Sequence, residues 1–183
     1  IIPSSVSRLG KEVFANSSSL KSVKFEAISM AFGPSPFANC TALTEENIVF
    51  RKGLNISGYN LGSIISLSCD SDNICGCKPG YGNTLLIDTD YFNCASCPEG
   101  YSNLNVPPSS DSCHECRRGT YASTEGCSTC SSCPAGTYGI TDASTSIEDC
   151  AECLVGTYQA SSKGFGDCLL CPPGNFCNIS GLQ

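Results

Sequence analysis

Residues 133–153 read CPAGTYGITDASTSIEDCAEC. Cys133 opens the stretch, Gly136 follows three places on, and Tyr138 comes two places after that. A loop rich in Ser, Thr and Asp then runs to Cys150, and Cys153 opens the phrase again as CLVGTY. The same phrase stands at 77–82 as CKPGYG, at 97–102 as CPEGYS, at 116–121 as CRRGTY and at 171–176 as CPPGNF. The copies at 77 and 97 move the aromatic to the place directly after Gly. Openers lie 20, 19, 17, 20 and 18 residues apart, and a closing Cys stands three residues before each later opener, at Cys94, Cys113, Cys130, Cys150 and Cys168. Six copies in register are a repeat of small units, each an irregular loop with a cysteine at both ends. Gly at the fourth place permits a turn with positive φ, and Pro at the second pre-sets the chain's direction into it.

Composition agrees with that reading. Sixteen of the 183 residues are Cys, about 9%, the range of a disulfide scaffold. Residues 1–68 hold only Cys40, and the other 15 lie from Cys69 onward. That second part has too few large apolar residues for a continuous core and needs covalent staples. In the chain-entropy model a bridge closing a loop of about 15 residues contributes roughly 3 kcal/mol. The fold expected is a series of small disulfide-rich repeats, mostly loop with short β-hairpins, forming an elongated rod. Ten basic against 17 acidic residues leave a net charge of -7, which repels phosphates and excludes nucleic acid as a partner. No apolar run approaches the ~20 residues of a membrane helix, so no membrane insertion is expected within this segment. The chain starts at Ile1 with neither initiator Met nor secretory signal, and is expected to be a piece of something larger.

The Cys-poor part has its own repeat. FANSSSL at 14–20 returns as FANCTAL at 37–43, displaced by 23 residues. At the same offset Ile2 matches Phe25, Leu9 matches Phe32, Gly10 matches Gly33 and Phe25 matches Ile48. A period in the low twenties is too short for a helical hairpin and fits one coil of a solenoid. Leu20, Val23 and Phe25 have the spacing of a short strand with inward-pointing side chains. Glu46 then falls where an apolar residue is expected, and Pro34 and Pro36 interrupt the second copy. The organisation expected is coils over 1–50, a cap and linker over 51–74 with Ser63–Leu67 as a final strand, and Cys-rich repeats over 75–183.

The unit at 2–25 resembles the BspA-like leucine-rich repeats of bacterial and protist surface proteins, so the rod would follow the C-terminal end of a leucine-rich-repeat solenoid. The Cys-rich part resembles ephrin-receptor-like and tumour-necrosis-factor-receptor-like repeats, carried by C-P-x-G-x-Y and the C-x-x-C junctions, and is closer to the former. The repeat favours Cys77–Cys94, Cys97–Cys113, Cys133–Cys150 and Cys153–Cys168, with Cys69–Cys75 and Cys171–Cys177 as short loops. Cys116 has two possible partners, Cys127 and Cys130. Cys40 takes a place held by Ser17 in the previous coil and is expected as a free buried thiol.

Cys94-x2-Cys97-x15-Cys113-x2-Cys116 has a four-Cys zinc spacing. The same spacing continues through the later junctions, however, and basic residues are scarce around these pairs, so bridges are preferred and no metal site is assigned. Cys113-His114-Glu115-Cys116 has the residues of a Cys–His nucleophile, but a bridged sulfur is no thiolate. No catalytic residue is assigned. Asp70, Asp72, Asp88, Asp90, Glu148 and Asp149 raise calcium, without the spacing of an EF-hand loop. Four N-x-S/T sequons stand at Asn16, Asn39, Asn55 and Asn178. Asn55 and Asn178 are the better candidates for N-linked glycan, whereas Asn16 and Asn39 can serve the coil turns instead. The function expected is an extracellular, cell-surface structural or adhesive protein whose partners are other proteins, copies of itself in a filament included. The alternative is a receptor ectodomain binding a protein ligand through its Cys-rich part. No cofactor is expected.

Overall fold

A computed structural model describes residues 1–58, 67–85, 90–104, 112–159 and 168–177. The chain forms two compact units: Ile1–Ser96 with Leu104–Ser112, and Cys97–Asn103 with Cys113–Gln183. Among the described residues strands are two to four residues long, the only helical turns are the 3-10 turns Glu45–Asn47 and Ile147–Asp149, and none is α-helical.

The first unit is built from parallel-stacked coils. Strands β1 (Arg8–Leu9), β3 (Ser29–Phe32) and β5 (Asn55–Gly58) form one parallel stack, and β2 (Val23–Lys24) and β4 (Ile48–Arg51) form a second. The first coil meets the next at an offset of 23: Ile2 bridges Phe25, Arg8 pairs with Ala31 and Leu9 with Phe32. The connecting turns stack too, with N–H groups of Glu12, Phe14 and Asn16 donating to the carbonyls of Pro34, Pro36 and Ala38 at 2.7–3.0 Å. Parallel stacking puts equivalent side chains over one another, so repeat-equivalent aromatics touch. Phe14 stacks on Phe37 with ring centroids 5.5 Å apart, and Phe25 stacks on Phe50 at 5.3 Å. Phe25, Met30, Leu54 and Phe92 are all but fully buried and make the centre of the core.

The second offset is longer than the sequence repeat implies. Val23 pairs with Ile48, and Ser29 with Asn55. Two extra residues fall between Leu43 and Ile48, where the 3-10 turn Glu45–Asn47 takes them up, and a third falls between Val49 and Asn55. Phe25 is therefore matched by Phe50, not by Ile48. Glu46 sits exposed in the extra turn rather than at an inward place. The stack also continues past residue 50, since β5 pairs with β3 over four residues.

Both stacks are closed on their last coil. Tyr91–Phe92 pairs antiparallel with Phe50 and Arg51 of β4, and Lys24 Nζ lies 3.6 Å from the Tyr91 ring centroid. Beside β5, the hairpin Leu67–Cys69/Cys75–Cys77 bridges Asn55 through Ile74. Residues 63–66 of the expected final strand lie outside the described residues. The first Cys-closed loop thus belongs to this core: Cys77 and Cys94 are fully buried within it. Asn93, 3% exposed, locks the loop down. Its amide donates to the carbonyl of Glu46 at 2.7 Å and its oxygen accepts from Thr84 N–H at 3.0 Å.

The second unit repeats one small device. The residues after the turn glycine pair antiparallel with the two residues between a closer and the next opener: Tyr101–Ser102 with His114–Glu115, Thr120–Tyr121 with Ser131–Ser132, and Thr157–Tyr158 with Leu169–Leu170. Thr137–Gly139 pairs with Cys150–Glu152 in a three-residue version. In the first unit Tyr81–Gly82 and Ala95–Ser96 do the same.

The stacked coils generate a paired test. A Cβ at Gly33 would lie 2.6 Å from backbone atoms of Gly10 and Lys11, while one at Gly10 meets nothing within 4 Å. Gly33→Ala should lose on the order of 1–3 kcal/mol by overpacking, and Gly10→Ala should stay within about 0.5 kcal/mol of the parent. Thermal unfolding of the two variants side by side checks both.

Candidate functional site

The sequence points to no pocket but to the ladder of cysteine-closed loops, whose geometry can be built from the opener outward. In all six phrases the N–H at the fifth place donates to the carbonyl at the second: Tyr81 to Lys78, Tyr101 to Pro98, Thr120 to Arg117, Thr137 to Pro134, Thr157 to Leu154 and Asn175 to Pro172, at 2.9–3.1 Å. Gly80, Gly100, Gly119, Gly136, Gly156 and Gly174 have φ between 79° and 88°. This is a β-turn with its third residue in the left-handed region, the type II pattern that calls for glycine. Pro98, Pro134 and Pro172 supply the turn's accepting carbonyl. Only Pro79 and Pro173 sit at the corner whose φ proline pre-sets, so proline at the second place does not have the role its position suggested.

The glycine also carries the link to the next unit. The opener N–H of Cys116, Cys133, Cys153 and Cys171 donates to the carbonyl of Gly100, Gly119, Gly136 and Gly156 respectively, at 2.8–3.0 Å. The N–H groups of Gly100, Gly136 and Gly156 reach the carbonyls of Ala122, Gln159 and Cys177 at 2.7–2.9 Å. At Gly100, Gly136 and Gly156 one residue without a side chain thus ties its loop to the following unit by both of its backbone groups. Gly139 takes part by closeness: a Cβ there would strike the backbone of Gly119. Threonine in the G-T-Y copies has a role that the sequence reading missed. The hydroxyls of Thr120, Thr137 and Thr157 donate at 2.7–2.8 Å to the carbonyl at the second place, holding the turn from its side chain.

Seven disulfides join Cys69–Cys75, Cys77–Cys94, Cys97–Cys113, Cys116–Cys130, Cys133–Cys150, Cys153–Cys168 and Cys171–Cys177. The choice left open for Cys116 falls on Cys130. Cys130 holds the closer's place, three residues before Cys133, so Ser131–Ser132 lies in register on Thr120–Tyr121. Cys127 is left as a half-buried free thiol whose Sγ donates to the carbonyl of Thr124 at 3.2 Å. Cys40 is free and buried, its Sγ donating to the carbonyl of Phe14 at 3.1 Å.

The other residues singled out by sequence have structural partners. Asn16 and Asn39 both have positive φ, at 61° and 58°, and Asn39 Nδ2 donates to Asn16 Oδ1 at 2.9 Å, one coil to the next. Asn55 Nδ2 donates to the carbonyl of Asp72 at 2.8 Å. Asn178 lies outside the described residues, as does Asp88. Asp70 Oδ1 accepts from the N–H groups of Asp72 and Ile74 at 2.9 Å, closing the Cys69–Cys75 turn. Asp149 and Ser146 cap the turn Ile147–Asp149 reciprocally. The hairpin that carries exposed His114 is flanked by Cys113 and Cys116, both bridged elsewhere. Among the described residues no group of three or more His, Cys, Asp or Glu side chains could hold a metal ion, and no helix is long and apolar enough to cross a membrane. Burial holds the Glu45 carboxyl above its ordinary range, with Lys78 opposing the shift.

Two outcomes follow. An alkylating reagent should label Cys127 in the native chain, Cys40 only once the chain is denatured, and the remaining cysteines only after reduction; mass spectrometry counts the labels. For Glu45, a raised folded value means that the ionised form is disfavoured in the native state. Stability is withdrawn as pH rises from the unfolded value through the raised one. Glu45→Gln should therefore raise the melting temperature at pH 7 and leave it unchanged at pH 3, as thermal melts at the two pH values would report.

Comparison with known families fits this geometry. Residues 105–150 and 148–181 match the family described as tyrosine-protein kinase ephrin type A/B receptor-like. No curated protein matches the chain. Over those residues, less than half its length, the chain is similar to that family. With its seven disulfides it fits an extracellular Cys-rich protein.

Proposed function

We propose that the chain is a load-bearing segment of an extracellular structural or adhesive glycoprotein, in which leucine-rich-repeat coils precede a series of ephrin-receptor-like repeats. The observation that carries this is the unbroken succession of opener-to-closer bridges from Cys77 to Cys168, each spanning 14–17 residues. A pull along the chain passes each loop through its S–S bond, so the residues inside cannot be drawn out. The glycine-centred hydrogen bonds hold neighbouring loops in register while that load passes. The parallel coils, the first two at an offset of 23 residues, support the leucine-rich-repeat reading of the first part. Glycan on Asn16 belongs to the same reading: it is exposed, and it offers its oxygen rather than its nitrogen to Asn39. No catalytic role is assigned to His114.

A second reading is a receptor ectodomain that takes a protein ligand along the Cys-rich loops. Its support is the family match over residues 105–181, whose description names a receptor. Saturable binding of one soluble protein, without adhesion or self-association, would favour it over the structural role.

Single-molecule pulling tests the leading reading. Each bridged loop hides about 50 Å of chain at 3.3–3.6 Å per residue. The oxidised chain should extend short of its full length by the sum of these loops, and a reducing agent should release them. Equal extension with and without reductant would overturn the load-bearing role.

A further inference from the structure

We infer that the outer face of the first coil, the side turned away from the second coil, is a docking face. Its occupant is one more coil with the 23-residue pattern of residues 2–24, seated in parallel. The inference rests on the solenoid part of the reading above and not on the load-bearing role of the bridges.

The first two coils make the same turn. Glu12 and Asn16 have φ of 52° and 61°, and Ser35 and Asn39, at the equivalent places, have 49° and 58°. The second coil has a neighbour on each side, the first coil on one side alone. Burial follows that difference. Phe25, Phe37 and Leu43 are buried, whereas their counterparts Ile2, Phe14 and Leu20 are half-buried. Pro36 is fully buried, and its counterpart Val13 is 49% exposed.

The backbone repeats the contrast. In the second coil the N–H groups of Ala31 and Gly33 donate to the carbonyls of Ser7 and Leu9, and the carbonyls of Pro34, Pro36 and Ala38 accept from Glu12, Phe14 and Asn16. The equivalent groups of the first coil are the N–H groups of Arg8 and Gly10 and the carbonyls of Lys11, Val13 and Ala15. Among the described residues, the Gly10 N–H and those three carbonyls make no backbone hydrogen bond. Ser7 and Leu9 turn their carbonyls toward the second coil, so alternation along the strand turns the Arg8 N–H the other way. Such a row of donors and acceptors is a template for pairing with another strand.

Gly10 and the polarity of the turn say what covers this face. Glycine at 33 lets the second coil approach, since a Cβ there would lie 2.6 Å from the backbone of Gly10 and Lys11. A Cβ at Gly10 meets nothing within 4 Å, and Gly10 is not among the glycines with positive φ. Neither space nor backbone asks for glycine there, but a further coil at the same spacing does. The turn has a donor edge at Glu12, Phe14 and Asn16 and an acceptor edge at Lys11, Val13 and Ala15. A second copy docked about a two-fold axis on this face would set acceptor against acceptor. Head-to-tail docking of copies is closed off, because Tyr91–Phe92 and the hairpin Leu67–Cys69/Cys75–Cys77 cover the last coil. A further coil brings a donor edge to the acceptors and an aromatic ring to Phe14, as Phe14 itself does for Phe37.

The test inserts a second copy of residues 2–24 ahead of Ile2 in the oxidised full chain and compares thermal melts and amide exchange with the parent. The extended chain should melt higher. Its Arg8 and Gly10 amides should exchange slowly, as those of Ala31 and Gly33 do in the parent. Gly10→Ala leaves the parent's melting temperature in place, but should lower that of the extended chain by several degrees, because the new Cβ strikes the added coil. An extended chain that melts no higher than the parent, Arg8 and Gly10 amides that exchange as fast as before, or Gly10→Ala equally harmless in both chains overturns the inference. The pulling experiment is decided by the bridged loops from Cys77 onward. Equal extension there removes the load-bearing role and leaves this docking face standing, while failure here leaves the pulling result untouched.

Discussion

Covalent closure of short loops is the constraint on which the second unit depends. Hairpins of two residues per strand are too short to stand in water by themselves. The bridge removes much of the entropy that each loop would otherwise regain on unfolding, and the turn glycine converts a row of closed loops into a ladder. Its positive φ makes the turn, its carbonyl receives the next opener, and at Gly100, Gly136 and Gly156 its N–H reaches further into that same next unit. The positive φ is common to all six copies and accounts for Gly at the fourth place of every phrase, while the places around it vary from Pro to Arg to Leu.

The first unit solves the same problem by packing. Its coils bury equivalent aromatic side chains against one another, Phe14 on Phe37 and Phe25 on Phe50. A parallel stack leaves an open edge on its last coil, and an open edge of backbone donors and acceptors invites unwanted pairing. The hairpin ending at Cys77 and the strand Tyr91–Phe92 cover that edge. The first bridged loop is thereby both cap and first member of the Cys series. Asn93 shows how it is fixed: a buried amide is satisfied by the Glu46 carbonyl of the coil and by Thr84 of its own loop.

Much of this was legible from residue order. The opener, turn glycine and closer are one-dimensional signals, because each unit is local and its bridge closes a short span. The 23-residue echo of FANSSSL in FANCTAL was equally plain, and the stacked turns follow it. What could not be read was register beyond the echo. The insertion at Glu45–Asn47 has no composition signal, and the 23-residue offset alone sets Phe25 against Ile48 and Glu46 at an inward place. The partner of Cys116 was ambiguous because Cys127 and Cys130 are three residues apart. What decides between them is the strand Ser131–Ser132, a pairing visible only in three dimensions. The threonine hydroxyls at Thr120, Thr137 and Thr157 and the amide of Asn93 were missed because ordinary polar residues carry no mark of being used. In the same way the sequons at Asn39 and Asn55 do not reveal that their side-chain nitrogens already have backbone or side-chain acceptors.

The claim at the centre of the account is that sulfur–sulfur bonds in one particular pattern give the Cys-rich loops their shape. Peptide mapping of the unreduced chain by mass spectrometry tests it most directly. The expected result is a linked peptide pair joining Cys116 to Cys130, with the peptide bearing Cys127 linked to nothing, beside the four other opener-to-closer pairs. Linkage of Cys116 to Cys127, or recovery of the opener and closer peptides unlinked, would contradict it.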